Sequence, residues 1–299
     1  MSVKHPVIAV TGSSGAGTTT VKNAFEHIFF REKITPLVME GDSFHSLDRA
    51  AFKEATAKHD EAGNNFFSHF GPEANHFDKI EETFKAYGKK GKCKRRYYIH
   101  SDEEAVFHNE RLGGTDYTAG QFTPWEDIKE KTDLLFYEGL HGLVKTDEAD
   151  IAGQVDLGIG VVPVVNLEWI QKIFRDNSQR GYSADVIVDT ILRRMPDYVH
   201  YITPQFSNTD INFQRVATVD TSNPFIARDI PTPDESFVVI RVRDPKKFNV
   251  DFPYLMNMIP NSFMSRRNTI VVPGGKMGYA MELILAPIIH DILENKRKA

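Results

Sequence analysis

The stretch Thr11-Gly12-Ser13-Ser14-Gly15-Ala16-Gly17-Thr18-Thr19-Thr20 constrains this chain more than any other. It follows the apolar run Val7 to Val10 and precedes a segment with helical periodicity, Thr19 to Phe30, so a buried strand must turn through small residues into a helix. Such a turn lets successive backbone N–H groups face a polyphosphate, with the positive end of the helix dipole aimed at the same anion. From Gly12 to Thr19 the spacing is that of the phosphate-binding pattern G-x-x-x-x-G-K-[ST], except that Thr18 stands where lysine is expected. Residues Gly12 to Thr20 are therefore the expected nucleotide cradle, and Thr19 the expected hydroxyl ligand of Mg²⁺. The cation that normally reaches the terminal phosphates must come from elsewhere in the chain. A dinucleotide fingerprint fits less well, because Thr20 stands where its third glycine would be.

Further apolar, β-branched runs occur at Pro36 to Met39, Leu134 to Tyr137, Val155 to Val165, Phe237 to Val242 and Thr269 to Val272. Helix-length segments lie between them at Glu73 to Tyr87, Leu167 to Arg180, Ser183 to Val199 and Gly278 to Asn295. This alternation predicts an α/β fold with a mainly parallel sheet. No repeat or Gly/Ser linker divides the 299 residues, so a single domain over 1–299 is expected. The stretches 113–124 and 203–223 have loop chemistry and could close over a site. The basic cluster Lys89 to Arg96 reads as a solvated turn or a phosphate patch, with a strand more readily following it at Tyr97 to His100. A formal charge of -5 argues against nucleic acid or anionic membrane as the main partner. The single cysteine, Cys93, excludes an intramolecular disulfide and a multi-cysteine zinc site, which fits a cytoplasmic protein. No apolar run reaches the roughly 18 residues of a spanning helix, and the N-terminus is read as the start of the mature chain.

The second strand ends Val38-Met39-Glu40-Gly41-Asp42, and strand C-termini of open parallel sheets face the ligand crevice. A kinase of a hydroxyl acceptor needs a carboxylate to orient that hydroxyl and take its proton, and Asp42 is well placed for it. Glu40 is the rival, although alternation along the strand directs it to the other face. Leu134-Leu135-Phe136-Tyr137-Glu138 has the form of a strand whose terminal acid holds Mg²⁺. His141 is as readily a loop or helix-start histidine as a site residue. A later helix, with Asn166 as the expected N-cap and Gly181 as its stop, carries Lys172, Arg175, Asp176 and Arg180 within a stripe of roughly 140°. Periodicity alone is also satisfied by a solvated helix face, but a phosphate loop without lysine gives such cations a task. Arg193 and Arg194 on the next helix, capped by Ser183, add positive charge.

The segment Lys172-Ile-Phe-Arg175-Asp176-Asn-Ser-Gln-Arg180-Gly181-Tyr-Ser183 resembles the signature of phosphoribulokinases. The resemblance extends over essentially the whole chain, through the lysine-free loop Gly12 to Thr19, Glu40-Gly41-Asp42-Ser-Phe-His45, Arg96-Tyr-Tyr98-Ile-His100-Ser-Asp-Glu-Glu-Ala and Phe136-Tyr-Glu138-Gly. It is similar to the bacterial, allosterically controlled type. The resemblance implies a P-loop NTPase-type kinase fold with a mainly parallel, mixed sheet flanked by helices. It implies phosphorylation of the 1-hydroxyl of D-ribulose 5-phosphate by ATP with Mg²⁺. Asp42 would be the base, Glu138 a metal-site carboxylate, Asp176 a second essential acid, and Lys172 the cation on the phosphoryl in flight. His45, Arg49, Tyr98, His100, Arg175 and Arg180 would surround the sugar phosphate. The resemblance further implies a homo-oligomer, an octamer, activated by NADH and inhibited by AMP; Arg31, Arg241 and the pair Arg266-Arg267 are candidate anchors, although a plain surface arginine is the commoner reading of each. Disulfide control of the plant type should be absent, since Ser13 and Ala16 occupy the loop and Cys93 is distant.

Two other readings compete. A uridine-kinase-like or pantothenate-kinase-like enzyme shares the loop and the Asp-bearing strand but normally keeps the loop lysine, and Thr18 with Arg175-Asp176 suits an anionic acceptor better. A nucleotide sensor without turnover would explain the lost lysine, yet it would have no use for Asp42, Glu138, Lys172 and Asp176 together.

Overall fold

In this computed structural model, residues 4–13, 18–226 and 229–298 are described; among them, the side chains of residues 18, 19, 179 and 180 are not. The chain runs β1 (Val7–Thr11), α1 (Thr18–Arg31), β2 (Pro36–Glu40), α2 (Arg49–Glu61), α3 (Phe77–Lys90), β3 (Lys94–Arg95), α4 (Asp102–Arg111), β4 (Glu126–Asp127), β5 (Leu134–Gly139) and β6 (Leu157–Val162). It continues through α5 (Val165–Arg180), α6 (Ala184–Asp197), β7 (Ile211–Ala217), β8 (Ser236–Val242), α7 (Phe252–Met258), β9 (Phe263–Arg266), β10 (Thr269–Pro273) and α8 (Met277–Lys298).

Eight strands form one sheet in the order β2-β5-β1-β6-β7-β8-β10-β9. The first five are mutually parallel, and β8, β10 and β9 extend the sheet antiparallel, giving the mixed, mainly parallel sheet that the strand–helix alternation predicts. Side-chain alternation divides the core between the two faces. Ile8 and Val10 of β1 join Phe136, Ile159, Phe213 and Ile240 beneath α1, α7 and α8. Val7 and Ala9 join Leu37, Met39, Leu135 and Tyr137 beneath α3. The parallel strands end together at one edge, where the turns carrying Gly12, Asp42 and Leu140 emerge.

Three expectations are corrected. The stretch 203–223 is not all loop, since β7 pairs parallel with β6 and antiparallel with β8 in the middle of the sheet. Asn166 does not cap α5; the helix starts two residues earlier, at Val165, with Val164 at the N-cap and no side-chain cap, while Gly181 ends it in the left-handed conformation as expected. Tyr97 to His100 forms no strand beyond a single bridge between Tyr98 and Phe122; β3 lies earlier and pairs only with β4.

Candidate active site

The ends of β2 and β5 approach each other glycine to glycine. A Cβ on Gly41 would lie 2.8 Å from the Gly139 Cα, and one on Gly139 would lie 2.6 Å from the Gly41 Cα, so neither position admits a side chain without backbone movement. This contact draws the short helical turn Gly41–Phe44, which bears Asp42, alongside Glu138. Gly12, Glu40, Asp42, His100, Glu138 and Leu140 then line one cavity of about 210 Å³. Gly12 is itself confined, because a Cβ there would meet the Val161 carbonyl oxygen at 2.9 Å.

Electrostatics set the carboxylates apart. The recessed position of Asp42 opposes ionisation, but the hydrogen bond and charge from His45, 3.3 Å away, with the field of His100, hold its carboxyl down at about 2. Glu138 goes the other way, pushed up to about 7 by burial and by repulsion from Glu40 and Asp42. Glu40 therefore does not face away from the site. Residues paired across parallel strands share a face; Glu40 pairs with Glu138, and its carboxylate lies 3.8 Å from His100. That contact raises the His100 pKa despite burial.

These acids provide a fit for Mg²⁺. Three carboxylates line the cavity and one of them resists ionisation beside the others, a repulsion that a divalent cation relieves. Among the described residues no three His, Cys, Asp or Glu side chains converge on a metal position by themselves. An ion here would need nucleotide oxygens and water, the coordination Mg²⁺ favours.

The residues expected around a sugar phosphate gather on the same side. His45 is buried, bonded to Asn75 Oδ1 at 2.8 Å, and its ring lies 4.6 Å from His69 and 6.4 Å from Tyr98. Tyr98 touches His100 at 4.9 Å between ring centroids. The exposed Arg49 reaches the His100 carbonyl at 3.4 Å and packs against Gly120, where an added Cβ would lie 2.7 Å from the Arg49 Cβ. Sequence reasoning missed His69, which stacks on Phe52 at 3.5 Å and is held neutral, at about 2, by burial. It also passed over Arg96 as a single residue. That guanidinium donates to the carbonyls of Ser43, at 2.6 Å, and His45, bracing the turn that carries Asp42, and it lies over Phe122 and Trp125. The solvated-turn reading therefore fails at Arg96.

A second group gathers on α5. Lys172 donates to Asp176, and Arg175 donates to Asp176 from Nε at 2.9 Å and from Nη2 at 2.8 Å, leaving Asp176 buried and its pKa lowered. Burial, with the Arg194 charge, brings the Lys172 pKa down to about 8. Arg194 lines the same small cavity as Lys172 and Ser13, lies over the Phe70 ring, and its charge also reaches His69. The Arg194 charge thus bears on His69, at the edge of the Asp42 side, and helps keep that imidazole neutral. His141 belongs to neither: its Nε2 meets the Phe70 carbonyl at 3.0 Å, and complete burial keeps it neutral, at about 3.

Within the expected nucleotide cradle, Gly12 and Ser13 are described, and Thr18, Thr19 and Thr20 open α1. Ser14, Gly15, Ala16 and Gly17, and the side chains of Thr18, Thr19 and Arg180, lie outside the described residues. Of the four candidate effector arginines, Arg241, Arg266 and Arg267 meet in a cleft of about 610 Å³ over the antiparallel half of the sheet. Arg31 is not brought there, being paired with Glu32 and with Glu282 of α8.

Comparison with known proteins agrees with this architecture. Residues 7–222 match the model of the Phosphoribulokinase / Uridine kinase family. The phosphoribulokinase of Xanthobacter flavus is 58% identical over 299 residues, all of both chains. The plasmid phosphoribulokinase of Cupriavidus necator is 56% identical, covering 100% of this chain and 99% of that one. A solved phosphoribulokinase structure from Rhodobacter spheroides is similar with a TM-score of 0.88 at 52% identity, covering 99% of this chain and 100% of the other. A lysine-free phosphate loop beside an ionised strand-end aspartate, on a sheet matched from end to end by these relatives, leaves one assignment: the chain belongs to the phosphoribulokinase/uridine kinase family.

Proposed function

We propose that the chain transfers the γ-phosphoryl group of ATP to the 1-hydroxyl of D-ribulose 5-phosphate, giving D-ribulose 1,5-bisphosphate and ADP. The observation that carries this reading is Asp42, ionised and opening into the same cavity as Gly12 at the start of the phosphate loop. In that role Asp42 accepts the hydroxyl proton as attack begins, while His45 orients its carboxylate. Glu138, with Thr19, holds Mg²⁺, which neutralises charge on the phosphates. Lys172 supplies the cation missing at Thr18, and Asp176 keeps that ammonium in place. His45, Arg49, Tyr98, His100, Arg175 and Arg180 surround the acceptor's phosphate and hydroxyls. Backbone amides of Gly12 to Thr20 receive the nucleotide phosphates.

The preference for an anionic acceptor is supported by the exposed Arg49 and by His100, whose pKa is raised, both on the Asp42 side. The reading is of one domain over 1–299, working in the cytoplasm as a homo-oligomer, an octamer. NADH as activator is supported by the cleft in which Arg241 and Arg266 converge, a setting suited to a dinucleotide's phosphates.

The test is Mg²⁺-dependent ADP release with ribulose 5-phosphate, uridine or pantothenate as acceptor, for the wild type and Asp42→Asn. Turnover is expected with ribulose 5-phosphate alone, and Asp42→Asn should lower kcat by about 10²–10⁴ with ATP binding intact. Turnover only with uridine or pantothenate would assign a different acceptor, and nucleotide binding without turnover would favour a sensor.

A further inference from the structure

We infer that Glu168 is a positioning residue that fastens the helix carrying Lys172 and Asp176 to the phosphate loop through the Ser13 hydroxyl. The inference rests on the reading that Lys172 replaces the loop lysine.

Ser13, the second residue of the loop, is 1% exposed, and its hydroxyl donates to Glu168 Oε1. The other carboxylate oxygen, Oε2, accepts the Tyr198 hydroxyl at 3.1 Å, so the loop, α5 and the end of α6 meet on one buried side chain. Glu168, Lys172 and Asp176 follow one another at intervals of four residues and so lie along a single stripe of α5. Whatever fixes Glu168 therefore fixes the azimuth of Lys172, one turn on. The space between these groups, lined by Ser13, Phe70, Glu168, Lys172, Arg194 and Tyr198, is about 30 Å³. That volume admits at most about one water and makes the contact a packed joint rather than a ligand site.

A carboxylate in such a place needs a reason, because burial is costly unless its oxygens are satisfied. Packing alone would accept leucine. A carboxylate does two things leucine does not: it accepts hydrogen bonds from two hydroxyls at once, and, although burial raises its pKa, its charge is favoured by the fields of Arg194 and Lys172. Separating the loop from α5 would displace Lys172 from a phosphoryl group held by the loop, and misplacement of about 1 Å can cost on the order of 10²-fold in rate.

Glu168→Ala, Glu168→Gln, Ser13→Ala and the double alanine variant test this through kcat, KM for each substrate and MgADP affinity. Trp169, the neighbour of Glu168, gives a second readout: in a Trp125→Phe background it is the single tryptophan, and its fluorescence should respond to MgADP. We expect Glu168→Ala to lower kcat about 10- to 100-fold with KM for ATP changed less than about threefold, and Glu168→Gln, which still accepts from Tyr198 and can bond Ser13, to recover most of that loss. The double variant should be no slower than Glu168→Ala, and Ser13→Ala should lose the Trp169 response even at MgADP concentrations that saturate the variant. Additive effects on kcat, or an unaltered Trp169 response in Ser13→Ala, would overturn the inference. Should Glu168→Ala fail to fold, Ser13→Ala carries the fluorescence test alone. Unchanged turnover in Lys172→Met would sink the reading of Lys172 instead, and the Ser13–Trp169 coupling, measured without turnover, would still be decided.

Discussion

Lys172 can lose its proton within the range of an ordinary assay, because burial and the Arg194 charge hold its pKa at about 8. The protonated form is the one able to neutralise a phosphoryl group, so kcat/KM, which reports the free enzyme, should fall as pH rises through about 8. Lys172→Arg stays charged throughout and should abolish that alkaline limb while keeping part of the activity. Lys172→Met should lower kcat by about 10²–10³. A limb unchanged in Lys172→Arg would assign the titration to another group. At this scale the sequence is informative about supply and silent about geometry. Thr18 announces a missing cation, and the stripe on α5 offers Lys172 and Arg175 as its source. That Asp176 turns inward to meet both, or that Glu168 meets Ser13, depends on partners brought close only by folding.

The turn Gly41–Phe44 has no side-chain N-cap, and its carbonyl end is held from outside by Arg96. Removing that guanidinium leaves part-buried carbonyls without a donor, at a cost of about 1–3 kcal/mol, and frees the turn that aims Asp42. Arg96→Ala is expected to lower the melting temperature and to reduce kcat about tenfold or more, with KM for ATP unchanged; a loss in KM for ATP alone would place its effect on the nucleotide side. Arg96 shows why a cluster of basic residues is hard to read. Composition marks Lys89 to Arg96 as solvated, and only the fold buries one of its members against Phe122 and Trp125. The strands show the same limit. β1, β2, β5, β8 and β10 are apolar enough to announce themselves. β7 buries Ile211 and Phe213 on one face and turns Asn212 and Gln214 to the other, so half its letters read as loop. α2 buries no residue completely, which leaves no apolar stripe to find.

Across the whole molecule the sheet has two halves with different cover. α1, α7 and α8 close one face from β1 to β10, whereas α3 covers the other only over the parallel half. The antiparallel extension therefore presents a polar sheet surface, and Asn212, Gln214, Arg241, Arg266, Arg267 and Asn268 line the resulting cleft of about 610 Å³. Phe206 and Ser207 form part of its wall. Their neighbour Gln205, 1% exposed, accepts from Thr11 Oγ1 at 3.0 Å and donates to the Leu140 carbonyl at 2.8 Å. One short segment thus touches the cleft on one side and, on the other, the strand ends that lead to Gly12 and the cavity of Glu138. A ligand that orders the cleft has a physical route to the phosphate loop without contacting it. On the proposal that NADH activates from this cleft, Arg241→Ala and Arg266→Ala should each remove most of that activation while leaving turnover without NADH within about twofold of the wild type, since surface changes away from buried partners usually act within about 0.5 kcal/mol. The check is a titration of kcat against NADH for each variant. Full activation in both would remove the cleft from consideration as the effector site, and Arg31→Ala, which acts on the opposite face through Glu282, should leave the cleft response in place.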